Sequence, residues 1–250
     1  MAAGNLVHWG HARGVTTLAL DAPARRNALS SALVGELTER LRRAEKDGDV
    51  RAVVLTHRGG TFCAGADLRD PPDPDALVGL LRRIVASDKP VVARVDGQVR
   101  AGGLGLLGAC DIAVASARSS FAFTEVRIGV APAVISLPLL PRVDPRAVAR
   151  YYLTGERFDA AEAARIGLVT AATPPEEEVD TALEPVLDGL RRASPQALAE
   201  TKRLLTVKVL EAFDRDAEPL TALSARLFAS DAAREGMTAF LERRDPAWVL

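Results

Sequence analysis

KPVVARVDGQVRAGGLGLLGACDIAVASARSSFAFTEVRIG, residues 89–129, is the stretch on which the fold turns. Lys89-Pro90 introduces a continuous apolar run, 91–95, of the kind found in strands covered on both faces. That run leads to Ala101-Gly102-Gly103, which opens a helix of small residues. A strand is predicted at 112–115, and an apolar segment, 121–125, ends on the carboxylate of Glu125. Glycine lets a ligand approach backbone amides closely, and a helix start leaves several amides unpaired. Together they can hold an oxygen that becomes negative during a reaction.

Toward the N-terminus, residues 15–20 are β-rich, and DAPARRN at 21–27 breaks the strand with proline and turn formers. Leu33, Leu37, Leu41 and Ala44 recur at helical spacing and predict an amphipathic helix over 31–46. A short buried strand, 52–56, runs into HRGGTFCAGADL at 57–68, a second glycine-containing loop after a strand. The segment DPPDPD at 70–75 reads as an exposed turn before a helix over 76–86. Beyond Pro145 the pattern is mostly helical. Helices are expected near 145–153, 159–165, 176–192, 195–213 and 217–243, with one more strand at 168–172. Strands stop near Ala193-Ser194-Pro195, which suggests a core over 1–193 and a helical region over 194–250. Leu204, Leu205, Phe228, Phe240 and Trp248 in that region need a core of their own or another subunit to cover them.

The length of 250 residues suits one large domain or a core with an appendage, and 48% hydrophobic with 26% charged residues reads as soluble and globular. Lys and Arg total 32 against 33 Asp and Glu, so no global field favours nucleic acid or an anionic membrane. The N-terminus lacks the features of a signal peptide, and no apolar run approaches the roughly 20 residues that span a bilayer, so a cytoplasmic location is expected. Cys63 and Cys110 form no CxxC pair, and His8, His11 and His57 have no ligand spacing. Both cysteines are expected to be small buried apolar residues, with no metal and no disulfide.

Gly103, Gly105 and Gly108 spell GxGxxG after a strand and at a helix start, the context of a dinucleotide fingerprint. A Rossmann unit also needs an acid at the end of its second strand. Here the next strand ends at Ala115-Ser116, which leaves close helix packing by small residues as the simpler reading.

FCAGADL at 62–68, KPVVARVDG followed by Ala101-Gly102-Gly103, CDIAVAS at 110–116 and FAFTEVRIGVAP at 121–132 together resemble the enoyl-CoA hydratase/isomerase family, also called the crotonase family. RRNAL at 25–29, LTGERFDAAEAARIGLV at 153–169 and EGMTAFLERRDPAW at 235–248 extend the resemblance over nearly the whole chain. The resemblance implies an α/β fold of the ClpP/crotonase kind, a spiral of strand-strand-helix turns with a helical C-terminal oligomerisation region that builds homotrimers or hexamers. It also implies an acyl-CoA substrate and no separate cofactor, since coenzyme A is part of that substrate. Two backbone amides that would polarise the thioester carbonyl map to Ala66 and Gly102. Either residue taken singly also fits ordinary tight-turn chemistry. Coenzyme A would run along Ala64, Asp67 and Leu68, with Arg26 and Ala28 at the mouth and Phe240 and Arg243 reaching its nucleotide end. Arg26 is equally readable as a solvated surface charge.

The chain departs from the family at one place that matters. Hydratases of this family carry two glutamates; the second maps to Glu125 and the first to Gly105. The glycine-rich segment that often follows the second glutamate is here Ala133-Val134-Ile135-Ser136, a bulkier wall. One carboxylate can move a proton between two carbons, as in shifting a 3-enoyl to a 2-enoyl thioester. Adding water requires that the water also be held and deprotonated. The resemblance implies an enoyl-CoA hydratase working with a single glutamate, an enoyl-CoA isomerase, or a non-catalytic acyl-CoA binder. The alternative reading of Glu125 is a structural ion pair with Arg127 or Arg100. Asp111, near the end of the small-residue helix, reads as a structural cap or ion-pair partner.

Overall fold

Apolar runs separated by glycine turns produce strands that alternate between two sheets. A computed structural model describes residues 5–250. The chain begins with β1 (Val7–Ala12), β2 (Val15–Leu20) and helix α1 (Ser31–Lys46). It continues through β3 (Ala52–His57), β4 (Thr61–Cys63), α2 (Pro74–Ala86), β5 (Val91–Val95), β6 (Gln98–Arg100) and α3 (Gly102–Ala109). Next come β7 (Ile112–Ala115), β8 (Ser120–Ala122), α4 (Ser136–Leu139), α5 (Pro145–Thr154), β9 (Phe158–Asp159), α6 (Ala160–Arg165) and β10 (Ala171–Ala172). Helices α7 (Val179–Arg192), α8 (Pro195–Phe228) and α9 (Asp231–Glu242) close the fold.

The first sheet has the order β1-β2-β3-β5-β7-β10 and the second β4-β6-β8-β9. From β3 to α4, each turn of the chain places one strand in the first sheet, the next in the second, and then a helix. This is the crotonase-type spiral. The first sheet is parallel except for the β1/β2 hairpin, and the second is parallel except for β9. One face of the first sheet meets the main core, which holds Leu18, Leu55, Leu81 and Phe121. Val54, Val92 and Val114 on its other face are covered by Val179, Leu183 and Leu187 of α7, which explains the continuous apolar runs in β3 and β5.

The structure corrects several boundaries. Residues 195–228 form one helix that runs through Pro219, where the sequence suggests two helices parting between 213 and 217. Phe213 is buried, Arg82 of α2 meets Asp214 at 2.8 Å, and packing along α2 carries the helix past the proline. The break falls instead at Ser230, whose Oγ accepts from the Ala233 N–H at 3.1 Å. The strand expected over 168–172 is only Ala171–Ala172, because Leu168 and Val169 bond back to the Ala163 carbonyl. Strand β8 ends at Ala122, and Glu125 opens a 3-10 turn, Glu125–Ile128. Leu204, Leu205, Phe240 and Trp248 stay exposed rather than buried within the chain.

Helix α9 folds back on that 3-10 turn at backbone distance. A Cβ on Gly129 would lie 2.5 Å from the Ala232 oxygen, and one on Gly236 would lie 2.5 Å from the Ile128 carbonyl carbon. Two glycines therefore set how closely α9 presses on the segment that carries Glu125. Gly236→Ala should destabilise the protein by about 1–3 kcal/mol through overpacking. Gly35→Ala, in α1 with nothing within 4 Å of an added Cβ, should be neutral or stabilising by up to about 1 kcal/mol. Denaturant midpoints of the two variants check the contrast.

Candidate functional site

Strands β4, β6 and β8 run parallel, so the loops after them emerge on one edge of the second sheet. The loop after β4 is tied to the segment before α1. Buried Asn27 donates to the Arg58 and Thr61 carbonyls at 3.0 and 2.7 Å, and its Oδ1 accepts from Ala22 N. Leu29 N donates to Gly65 O at 2.7 Å and Asp67 N to Leu29 O at 2.9 Å, which bridges Leu29 and Ala66. Gly65 adopts φ +95°, and a Cβ there would lie 2.9 Å from the Ala101 Cβ, so only glycine fits. Across from it Ala101 sits at φ 46°, ψ −120°. A non-glycine residue in so sparsely populated a region costs about 1–3 kcal/mol.

This conformation turns the Gly102 N–H toward the loop after β4. The point where a Gly102 Cβ would stand is 3.7 Å from Ala66 N. Among the described residues neither the Ala66 nor the Gly102 amide donates to a backbone or side-chain acceptor outside the helix and strand ladders. Gly102 is the first residue of α3, where no intrahelical acceptor exists for its N–H. Two free amides thus stand side by side, each presented by a small residue.

Glu125 follows β8 on the same edge and is buried, 8% exposed. Neither Arg127 nor Arg100 pairs with it: Arg127 lies against the Thr154 carbonyl, and Arg100 bonds to Ser120. Among the described residues its Oε2 has no hydrogen-bond partner. Burial raises the carboxyl from its usual 4.5 to about 7, against a smaller lowering by its own backbone N–H.

The glycines of α3 are explained by packing rather than by a nucleotide. A Cβ on Gly103 would meet the Cys63 Cβ at 2.7 Å, and one on Gly108 the Leu139 Cδ2 at 2.5 Å. One on Gly105 would meet Ile135 Cγ2 at 2.7 Å and Leu81 Cδ1 at 3.4 Å. The space beside Gly105, where the resemblance implies a first glutamate in relatives, is therefore filled by Ile135, the bulky residue in the altered wall. Asp111 pairs with buried Lys202 of α8 at 2.8 Å and accepts from Val91 N at 2.7 Å, a structural role as the sequence suggested. Cys63 and Cys110 are buried free thiols, both pushed up to about 12 by burial. Among the described residues no group of His, Cys, Asp and Glu is placed to hold a metal, and no helix is long and apolar enough to cross a membrane.

A cleft of about 810 Å³ joins these parts. Ala66, Gly102 and Glu125 line it, as do Arg26, Ala28, Ala64, Asp67, Leu68 and Phe240. Arg243 does not: it caps α9 in a left-handed conformation, and Arg244 lines the cleft in its place. The Asp67 carboxylate is held by Arg25 at 3.0 Å and by the Arg69 N–H at 3.0 Å, so it shapes the loop rather than facing a ligand freely. Arg25, Arg69, Arg100, Arg157 and Phe228, none of which the sequence assigns to the site, also line the cleft. For Arg25, Arg69 and Arg100 the signal was the run of arginines near the glycine loops.

The fold and this edge-built cleft are those of crotonase-type enzymes. The enoyl-CoA hydratase/isomerase family profile matches residues 10–249, and the chain belongs to that family. It is 34% identical over 257 residues to an enoyl-CoA hydratase of Mycobacterium tuberculosis, covering 95% of this chain and 92% of the relative. To the 2,3-dehydroadipyl-CoA hydratase of Escherichia coli it is 31% identical over 240 residues, covering 93% and 94%. The crystal structure of an enoyl-CoA hydratase from Mycobacterium avium superimposes with a TM-score of 0.91 at 54% identity, covering 99% of this chain and all of that one.

Gly105→Glu should destabilise the protein by about 1–3 kcal/mol, because the new side chain starts inside Ile135. In an Ile135→Gly background the same change should cost less. A double-mutant cycle on unfolding free energy checks the coupling, and additive costs would show that the two positions do not share this space.

Proposed function

We propose that this chain is an enoyl-CoA hydratase in which Glu125 is the sole catalytic acid and base, and the amides of Ala66 and Gly102 hold the thioester oxygen. The observation that carries this reading is a desolvated carboxyl near neutral pKa, its Oε2 unpartnered among the described residues, in the same cleft as two free amides. In hydration, the Glu125 carboxylate takes a proton from water as the water oxygen bonds to the β-carbon. The electron pair of the double bond moves onto the thioester oxygen, and the enolate recovers a proton at the α-carbon from the Glu125 carboxylic acid. The amides stabilise the oxygen only as it becomes negative, and removing one such donor typically costs about 3 kcal/mol of barrier. Ala64, Leu68, Arg26 and Ala28 would line the path of coenzyme A. Arg26 and Arg69, which have no carboxylate partner among the described residues, would meet its phosphates. Exposed Leu204 and Leu205 on α8 support assembly through 194–250 into trimers or hexamers.

A second reading is favoured by Ile135. With an apolar side chain where a second carboxylate would stand, Glu125 can remove a proton from the α-carbon of a 3-enoyl thioester and return it at the γ-carbon, which is isomerisation. A raised carboxyl pKa suits proton exchange at carbon and speaks against a purely binding role. Incubation with crotonyl-CoA and with a 3-enoyl-CoA separates the readings by product, and silence on both with tight binding would leave a binding protein.

Glu125→Gln should abolish turnover and spare ligand affinity; unchanged turnover would remove Glu125 from the mechanism. With the carboxylate as the base, kcat/KM should fall as the pH drops through about 7. Stability should move the other way. Between about 4.5 and 7 the folded state keeps a proton that the unfolded chain has lost, so stability is lost as pH rises through that window. Glu125→Gln should therefore flatten this slope and stabilise the protein by up to about 3 kcal/mol at pH 8, read from denaturation across pH.

A further inference from the structure

Three arginines that the proposed chemistry leaves unused line the cleft: Arg100 at the end of β6, Arg127 in the 3-10 turn, and Arg157 just before β9. Arg100 is paired in register with Ala122 of β8, and Phe158 pairs antiparallel with Phe121. Continuing that register by one residue puts Arg157 beside Ala122 on its other side. Alternation then places Arg100, Ala122 and Arg157 on one face, while Val99, Phe121 and Phe158 are buried in the core on the other. Ala122 contributes only a methyl group between the two arginines. The Nε of Arg127 lies 2.9 Å from where a Gly155 Cβ would stand, which brings it over the loop leading to Arg157.

Among the described residues none of these three arginines forms a salt bridge. Arg100 is fixed by neutral acceptors, the Ser120 and Val99 carbonyls at 2.6 and 2.8 Å and Ser120 Oγ at 2.9 Å, and Arg127 meets only the Thr154 carbonyl at 3.4 Å. Glu156 is engaged by Arg150, and Asp159 accepts from Glu162 N. Burial, together with the charge of Arg157, holds the Arg100 guanidinium down to about 10. Elsewhere arginines facing the surface, such as Arg58, Arg118 and Arg150, have carboxylates at hand.

We propose that Arg100, Arg127 and Arg157 form an anion subsite that receives a second carboxylate at the far end of the acyl group. This rests on the placement of the thioester between Ala66 and Gly102. Across the edge of the second sheet stand, in order, the loop after β4 with Ala66, the loop after β6 with Gly102, the loop after β8 with Glu125, and the start of β9 with Arg157. Arg157 thus lies two strand spacings, about 10 Å, past Gly102 on the Glu125 side. Arg26 and Arg69, suited to the phosphates, lie near the β4 loop. A ligand crossing the reaction centre from one end reaches the three arginines at the other, and a planar carboxylate matches the guanidinium fork.

Calorimetry with two unreactive saturated esters, glutaryl-CoA and butyryl-CoA, tests the subsite without turnover. The protein should bind glutaryl-CoA at least about 10-fold more tightly, the worth of one charge-assisted hydrogen bond. Arg100→Gln with Arg157→Gln should erase most of that preference and leave butyryl-CoA affinity within about threefold, while Arg157→Lys should keep part of it. Equal affinities in the parent protein, or a preference that survives the double substitution, would overturn the proposal. So would a smaller assembly of the double variant in sedimentation, because the counter-charges would then belong to a second copy. A carboxylate preference in a protein that hydrates neither crotonyl-CoA nor glutaconyl-CoA would sink the hydratase reading and leave the subsite standing.

Discussion

The constraint on which the site depends is the contact between Gly65 and Ala101. A single methyl group on the first would sit 2.9 Å from the Cβ of the second, so two loops from neighbouring strands touch with no side chain between them. That contact holds Ala101 in a backbone conformation that an L-residue would not choose, and its cost is met by the packing around it. Relaxing Ala101 toward an ordinary conformation would re-aim the Gly102 N–H and start α3 in another direction. The relative position of the two free amides is therefore a property of the fold and needs no side chain to maintain it.

Helix α3 transmits that position into the rest of the molecule. All its residues are buried, and its glycines bring the helix backbone close to Cys63 on one side and to Ile135 and Leu139 on another. Its far end is held by charge: Arg142 donates to the Gly108 and Cys110 carbonyls, and the Asp111 and Lys202 pair joins it to α8. Lys202 also donates to the Ile84 and Lys89 carbonyls at 2.9 and 3.0 Å, so its desolvated ammonium is satisfied on several sides. A buried pair with this many partners serves position more than net stability. The helix is clamped at both ends, which keeps its first amide still.

Much of this was legible in the sequence because the informative features are local. A glycine loop after an apolar run shows where backbone must come close, and β3, β5 and β7 stand where continuous apolar runs put them. Less legible was whatever depends on which distant residue arrives. Pro219 reads as a helix breaker, yet packing against α2 overrides it. Residues 7–12 carry two histidines and no clear alternation, and they form β1 only because the β2 edge offers a ladder. Glu125 next to Arg127 in sequence invites an ion pair, but the 3-10 turn sends the two side chains apart. Gly105 announced an absence; that Ile135 fills the space could be seen only once α4 was packed on α3. Arg244 lines the cleft instead of Arg243 because the helix ends at Glu242 and Arg243 is itself the left-handed cap, a one-position matter that helical periodicity does not resolve.

The surroundings of Glu125 bear directly on the proposed chemistry. A bound water needs two to four polar partners. On the α3 side the wall offers a glycine and the Ile135 side chain, so a water beside Glu125 finds no side-chain partner there and must draw its hydrogen bonds from the carboxylate and from other sides of the cleft. The burial that makes water harder to hold also raises the carboxyl to about 7, which in the proposed chemistry suits proton transfer at carbon. Helix α9 deepens this desolvation by pressing on the 3-10 turn through Gly129 and Gly236. Ile135, Gly105 and the crossing of α9 thus act on one quantity, the solvation of a single carboxyl. Proton transfer at carbon gains from its decrease, while water addition tolerates it only as far as one water can still be held.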